Sequence, residues 1–160
     1  MSLLGTFSSG DVLTAAELNQ FNNVTALYDT SSQNTNGFTF MYASFGAGTE
    51  LCDPSGWHST TTNPSRITPD IAGTYLVTGT GNLETTSFSS SARFYLSIQK
   101  NGSNYQEVNM WANKYPSTSI ATVVNMNGTT DYLELVLFQD TTTTIASIRR
   151  TFSCMLLRAS

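Results

Sequence analysis

The chain has 160 residues and a formal net charge of -4 at pH 7, and only 11% of its residues are charged. It has no basic cluster to neutralise phosphates and no apolar run of about 20 residues, so we predict neither a nucleic-acid partner nor a membrane. Its polar surface must come from Ser, Thr and Asn, which suit strands and turns and favour an all-β domain.

Residues 1–36 are predicted to form an N-terminal attachment arm with a short helix and a polar linker. The first six residues have neither a basic region nor a long apolar segment, so we expect no signal peptide there. Thr14 and Glu17 have the capping-box spacing that begins a helix, and the apolar spacing continues it to about Tyr28. The apolar residues of the arm that are candidates for docking onto another protein are Leu3, Leu4, Phe7, Val12, Leu13, Leu18 and Phe21.

Residues 37–160 are predicted to form one β domain, because the hydrophobic period changes after the linker. Gly73–Leu83 is predicted to be a long strand, and Arg93–Gln99 alternates between apolar and polar residues. Asn101 and Gly102 follow at once, and this pair favours a hairpin because both central residues of a type I′ turn need positive φ. About eight to ten strands without a second helix indicate an antiparallel sandwich or jelly roll.

The segment 131–138 is apolar on both of its faces. Its leucines share one face, whereas Tyr132, Glu134, Val136 and Phe138 share the other. A sandwich strand with one face in water should not be apolar on both sides. We therefore predict that the second row is covered by another subunit, and that Glu134 is paired with a group such as an arginine.

Candidate catalytic residues are few. The one histidine, His58, lies in a loop rich in Gly, Ser and Thr, and there is no Gly-x-Ser-x-Gly elbow for a nucleophile. No Cys/His cluster has zinc spacing. We therefore predict that the chain is not an enzyme and that it has no cofactor and no metal.

Two further features leave alternatives open. Asp131, Glu134 and Asp140 are the clustered acids, and a calcium ion between them is the alternative to solvent-facing or paired carboxylates. Cys52 and Cys154 are predicted to be reduced, buried thiols, although a pair can also form one disulfide.

Four segments resemble the framework of the complement-globular-head and tumour-necrosis-factor jelly rolls. Gly73–Tyr75 resembles the Gly-x-Tyr that opens a central strand, and Ile98–Gly102 resembles a later strand that leads into Asn-Gly. Asp131–Leu135 is similar to an aliphatic strand opened by an acid, and Phe152–Leu157 is similar to the final strand. This resemblance implies a jelly roll of about ten strands that forms a homotrimer about an axis.

The arm has a resemblance of its own. Ser9–Asn19 is similar to a Gly-x-x-Leu-Thr-Ala-Ala-x-Leu-Asn segment that recurs near the N-terminus of tailed-bacteriophage structural proteins. The resemblance implies a virion protein that is made in the cytoplasm of the bacterial host and displayed on the particle exterior. We expect a homotrimeric capsid decoration protein whose arm binds the major capsid protein or another virion protein.

Three other functions compete with this expectation. The first is a tail- or fibre-tip module that binds host surface glycans through its loops. The second is a small glycan hydrolase, for which the sequence offers no clear pair of acids. The third is a free signalling ligand of the tumour-necrosis type, which the lack of an export signal counts against.

Overall fold

The computed structural model describes residues 23–46, 49–84, 92–111 and 114–160. Within these ranges all regular secondary-structure elements are β-strands, so the all-β prediction is confirmed. The strands in chain order are β1 (Val24–Asp29), β2 (Gln33–Thr35), β3 (Met41–Tyr42), β4 (Glu50–Cys52), β5 (Arg66–Ile67), β6 (Ala72–Asn82), β7 (Arg93–Lys100), β8 (Ser103–Trp111), β9 (Ser117–Asn127), β10 (Leu133–Gln139), β11 (Ile145–Ser147) and β12 (Arg150–Ala159).

The strands form two antiparallel five-stranded sheets and one small strand pair. The first, here called the β12 sheet, has the order β4-β1-β12-β6-β9. The second, here called the β10 sheet, has the order β3-β10-β7-β8, with β5 also paired to β10. β11 pairs with β2. The first and last described strands are neighbours, and long crossovers join the sheets, as in a jelly roll.

The core lies between the two sheets. Strand β6 shows the expected alternation, with Tyr75 and Val77 fully buried and their neighbours along the strand partly exposed. Gly79 lies on the same inner face, where an added Cβ would come within 2.5 Å of the Leu135 side chain on β10. Glycine there lets the two sheets pack closely.

The hairpin between β7 and β8 has the predicted turn. Asn101 and Gly102 have φ values of 53° and 74°, so both central residues are left-handed, as a type I′ turn requires. The side chain of Asn101 adds to the turn by accepting a hydrogen bond from the Tyr132 amide at 2.9 Å.

The predicted end of the N-terminal helix is wrong. Val24–Asp29 is strand β1, which pairs with β12 over its whole length. Thr25, Leu27 and Asp29 are buried, and the residues between them are more exposed. This alternation is that of a strand, which forms in place of the loosely spaced helix because β12 is available as a partner. The helix start at Thr14 and all of the predicted docking residues lie outside the described residues. Residues 24–35, which the predicted arm includes, lie in the sheets as β1 and β2.

Arg150 is a fully buried charge that connects three parts of the fold. Its Nη2 donates to Asp29 Oδ2 at 2.6 Å and to the Ser31 carbonyl at 3.1 Å, and its Nη1 donates to the Ser147 carbonyl at 2.6 Å. Burial raises the pKa of Asp29, but hydrogen bonds from Ser31 and the charge of Arg150 outweigh it, so that this pKa is lowered overall. The Asp29 carboxylate is therefore ionised at neutral pH.

We predict that Arg150→Met lowers the free energy of unfolding by about 3–5 kcal/mol, because it leaves the Asp29 carboxylate buried without its cation. Urea unfolding followed by circular dichroism measures the loss. Arg149→Met is the matched control, since Arg149 is the exposed neighbour, and it should change the stability by less than about 0.5 kcal/mol. Equal effects of the two substitutions would contradict the role given to the buried pair.

Candidate functional site

The loop between β4 and β5 is organised by the carboxylate of Asp53. Its Oδ1 accepts hydrogen bonds from Thr25 Oγ1 at 2.6 Å and from the Trp57 amide at 3.0 Å. Its Oδ2 accepts one from the His58 amide at 3.0 Å. One carboxylate therefore fixes the chain where it turns back toward the core, and ties it to β1.

Two aromatic side chains of this loop point inward. Trp57 is buried, and its indole nitrogen donates to Asp70 Oδ1 at 2.7 Å. His58 is also buried, with Nδ1 at 2.7 Å from Glu50 Oε1 and Nε2 at 3.2 Å from the Pro64 carbonyl. Because both ring nitrogens already face oxygen atoms, His58 holds the loop together and is not placed as a general base.

A cavity of about 350 Å³ opens beside these two residues. Gly56, Ser59 and Thr68 line this cavity. The Ser59 hydroxyl is held in place because it accepts hydrogen bonds from the backbone amides of Thr61 and Thr62. Its lining is a mixture of polar and apolar surface, and it opens to solvent on the outside of the sandwich. The remaining lining residues are Thr62, Asn63 and Arg66.

Arg66 on β5 is the cation at this cavity. Its Nε donates to Glu134 Oε1 at 3.2 Å, and its guanidinium carbon lies 3.8 Å from the ring centre of Tyr132. Ser65 Oγ also donates to Glu134 Oε1, at 2.8 Å. The guanidinium is thus held on one edge and one face, which fixes the direction of its two terminal nitrogens.

The predicted row on the second face of β10 is covered in its middle by the chain itself. Glu134 is only 5% exposed and Val136 only 1%, and the predicted arginine partner of Glu134 is Arg66 of the same chain. Phe138 is half-buried and packs against Phe40 at 5.1 Å between ring centres. A second subunit is not needed to explain this row, and a role of Tyr132, Glu134, Val136 and Phe138 in a trimer stays a prediction.

The outer face of the β12 sheet carries an apolar row that the sequence did not reveal. Val24, Met155, Leu76 and Val123 are directly opposite one another on four adjacent strands. Met155 is 41% exposed and Val123 is 51% exposed. An exposed apolar row that crosses four strands is typical of a surface that another protein covers.

The next rows of this face are uncharged, and apart from Tyr28 their residues are small. Ala26, Ser153, Thr78 and Ala121 form one of them, and Tyr28 begins the other. Hydroxyl groups of neighbouring strands satisfy each other, with 2.7 Å between Thr78 and Ser153 and the same distance between Thr80 and Thr151. Because these hydroxyls are already paired, removing water from the face costs little. We call Val24, Met155, Leu76 and Val123, together with these small residues, the uncharged face.

The clustered acids each have a separate cation. Asp131 lies 2.8 Å from Lys100 Nζ, Asp140 lies 3.0 Å from Arg93 Nε, and Glu134 has its arginine. Burial raises the pKa of Asp131, but its hydrogen bonds, led by that from Lys100, lower it overall. Among the described residues no group of three or more His, Cys, Asp or Glu side chains is placed to hold a metal ion.

The two cysteines differ in environment. Cys154 is buried and Cys52 is exposed, and neither is in a disulfide. The prediction of buried thiols is therefore right for Cys154 and wrong for Cys52, which lies on the short strand β4. Burial raises the pKa of Cys154 to about 12, so this thiol stays protonated and unreactive at neutral pH.

Solved structures with the same fold include two of very different origin. No protein-family model and no curated protein sequence matches the chain. The globular domain of a zebrafish complement 1qA protein superimposes with a TM-score of 0.64 and 12% identity, over 86% of this chain and 99% of that one. The fold is a jelly roll of the complement type. The vertex protein P5 of PRD1 superimposes with a TM-score of 0.58 and 12% identity, over 83% of this chain and 72% of that one.

These likenesses confirm the expected complement-type jelly roll, and at 12% identity they show the fold alone. Across the described part of the chain, no helix is long and apolar enough to cross a membrane. Reasoning from the sequence missed both Asp53 and the cavity, since a loop rich in Gly, Ser and Thr has no periodicity from which to infer contacts. It also missed the uncharged face, whose residues meet only through the strand register.

We predict that Asp53→Asn loosens the loop around Trp57, because the amide keeps one acceptor oxygen but loses the charge that strengthens three hydrogen bonds. The expected cost is about 1.5–3 kcal/mol in the free energy of unfolding. Tryptophan emission should shift to longer wavelength as Trp57 becomes solvated, over a constant signal from the exposed Trp111. Glu107→Gln, which neutralises an exposed carboxylate on β8 instead, is the control, and an equal red shift there would contradict the role of Asp53.

Proposed function

We propose that this protein is a structural protein of a bacteriophage virion, that it is displayed on the particle exterior, and that it assembles as a homotrimer. The observation that carries the proposal is the shared fold with the PRD1 vertex protein P5, in a chain whose N-terminal segment resembles phage structural proteins. Catalysis is not part of the proposed function, since His58 is fully engaged in holding the loop.

The trimer contact is proposed to lie on the uncharged face. Its apolar row offers side chains such as Val123 and Met155 that are exposed in one chain, and its hydroxyls are already paired across strands. The predicted row on β10 is the alternative contact. It is less suitable because Glu134 and Val136 are buried before any partner arrives.

Attachment is proposed to use the arm. Leu3, Leu4, Phe7, Val12, Leu13, Leu18 and Phe21 would contact the major capsid protein or another virion protein. A trimer would present three such arms together, and each bound arm raises the effective concentration of the others. This arrangement suits a capsid decoration protein that bridges neighbouring subunits and is added after synthesis in the host cytoplasm.

The second candidate is a receptor-binding module at a tail or fibre tip that contacts host surface glycans. It is favoured by the shared fold with a vertex protein, PRD1 P5, because a vertex protein occupies few positions on a particle. It is also consistent with the cavity beside Trp57, which is formed by a loop and open to solvent.

We predict that Val123→Asp dissociates the trimer, because it places a charge within the apolar row of the contact. The cost is about 3 kcal/mol, which corresponds to a weakening of the association by roughly a hundredfold. Sedimentation velocity across a concentration series measures it. Val123 is half exposed in one chain, so the substitution should leave the fold intact by circular dichroism.

Phe138→Asp tests the alternative contact in the same experiment. Val136→Asp is a poor choice there, because Val136 is 1% exposed and its replacement would disrupt the single chain. Dissociation by Phe138→Asp with an intact Val123→Asp trimer would move the contact to β10. A wild-type chain that sediments as a monomer throughout would overturn the trimer itself.

The copy number of this chain in purified virions decides between the two locations. For a decoration protein, quantitative mass spectrometry should give a copy number close to that of the major capsid protein. A few trimers per particle would instead support the tip module. If the chain is absent from the particles, the virion proposal fails.

A further inference from the structure

The cavity beside β5 has unused hydrogen-bonding groups that converge on it. The terminal nitrogens Nη1 and Nη2 of Arg66 have no hydrogen-bond partner among the described residues. Its Nε is bonded to Glu134, and one face of its guanidinium lies on the ring of Tyr132. Thr62 and Asn63 line the same cavity, and their side chains make no hydrogen bond within the described ranges. These groups are free to bind a ligand without breaking any existing contact.

The binding groups are held in place before a ligand arrives. Arg66 is fixed by Glu134 and Tyr132, and its side chain is 35% exposed, so it is ordered yet reachable. Asn63 has a φ of 52°, and its carbonyl accepts the Arg66 amide at 2.9 Å, which fixes the backbone that carries the two side chains. Preformed groups of this kind lower the entropy cost of binding.

The shape and polarity of the cavity fit one sugar unit. Its volume of about 350 Å³ lies at the lower end of ordinary ligand pockets. Hydroxyl and amide groups of the lining give it several neutral hydrogen-bonding positions beside apolar surface. Such a mixture suits a ring that carries many hydroxyl groups.

The charge balance selects the kind of sugar. Arg66 is the cation at the cavity, and its two terminal nitrogens form the fork that binds a carboxylate in a bidentate manner. Glu134 already balances much of its charge, so a group with a single negative charge fits better than a doubly charged phosphate. We propose that this cavity binds a carboxylate-bearing sugar unit of the uronic acid class, with the carboxylate on Arg66 and ring hydroxyls on Asn63 and Thr62.

The inference rests on the proposed function only for its setting, since a protein on the particle exterior meets surface polysaccharides. The binding itself is a property of the isolated chain. Failure of binding would leave the virion location untouched, and absence from virions would leave the cavity chemistry untouched.

The test is a two-dimensional ¹H–¹⁵N NMR titration of the full chain with sodium D-glucuronate at constant ionic strength, with D-glucose as the uncharged probe. The chain has two tryptophans, so the indole signals report directly. We expect saturable shifts at the Trp57 indole and none at the Trp111 indole, with glucuronate binding about tenfold or more tighter than glucose.

Variants separate recognition from loss of structure. Arg66→Lys keeps the charge beside Glu134 but lacks the fork, and should weaken glucuronate binding by about tenfold. Thr62→Val should weaken glucuronate binding as well. Thr61→Val should not weaken it, because Thr61 is exposed but is not among the residues that line the cavity.

Several results would overturn the proposal. They are equal affinity for glucose and glucuronate, equal shifts at both indoles without saturation, the absence of any shift, or an unchanged affinity in a folded Arg66→Lys variant. Unchanged amide spectra away from the cavity show that each variant is folded.

Discussion

The buried ion pair between Arg150 and Asp29 is the constraint on which the arrangement of the sheets depends. Arg150 begins the last strand and Asp29 ends the first described one, so their contact at 2.6 Å joins distant parts of the chain on neighbouring strands of the β12 sheet. The same guanidinium reaches Ser147 at the end of β11, which fixes the small strand pair against the β12 sheet. A buried charge needs hydrogen-bond partners, and both terminal nitrogens of Arg150 have them, so this geometry allows little variation.

The placement of the sheets decides which surfaces remain for function. The β12 sheet buries its inner face in the core and leaves an outer face of valine, methionine, leucine, alanine and paired hydroxyls. On the outer side of the β10 sheet, Glu134 already accepts hydrogen bonds from Arg66 and Ser65 of the same chain. The outer face of the β12 sheet thus stays exposed and is the face proposed for association, whereas the β10 sheet supports the loop that forms the cavity.

Glu134 and Arg66 join the fold to the proposed ligand site. Glu134 is part of the central strand of the β10 sheet, and it orients Arg66 at the edge of the cavity. Asp53 performs a similar role from the other side by fixing Trp57 and His58 to β1 through Thr25. Carboxylates in this sparsely charged chain therefore act mostly as local organisers of loops.

The sequence by itself determined the class of fold, the long strands, and the turn at Asn101 and Gly102, because strand alternation and positive φ are local properties of the chain. It also predicted an arginine for Glu134, although not which one. Only the tertiary structure decided that 24–29 is a strand, that Arg66 is the partner, and that Val24, Met155, Leu76 and Val123 form one row. These features depend on strand register and on contacts between distant residues, which no local period encodes.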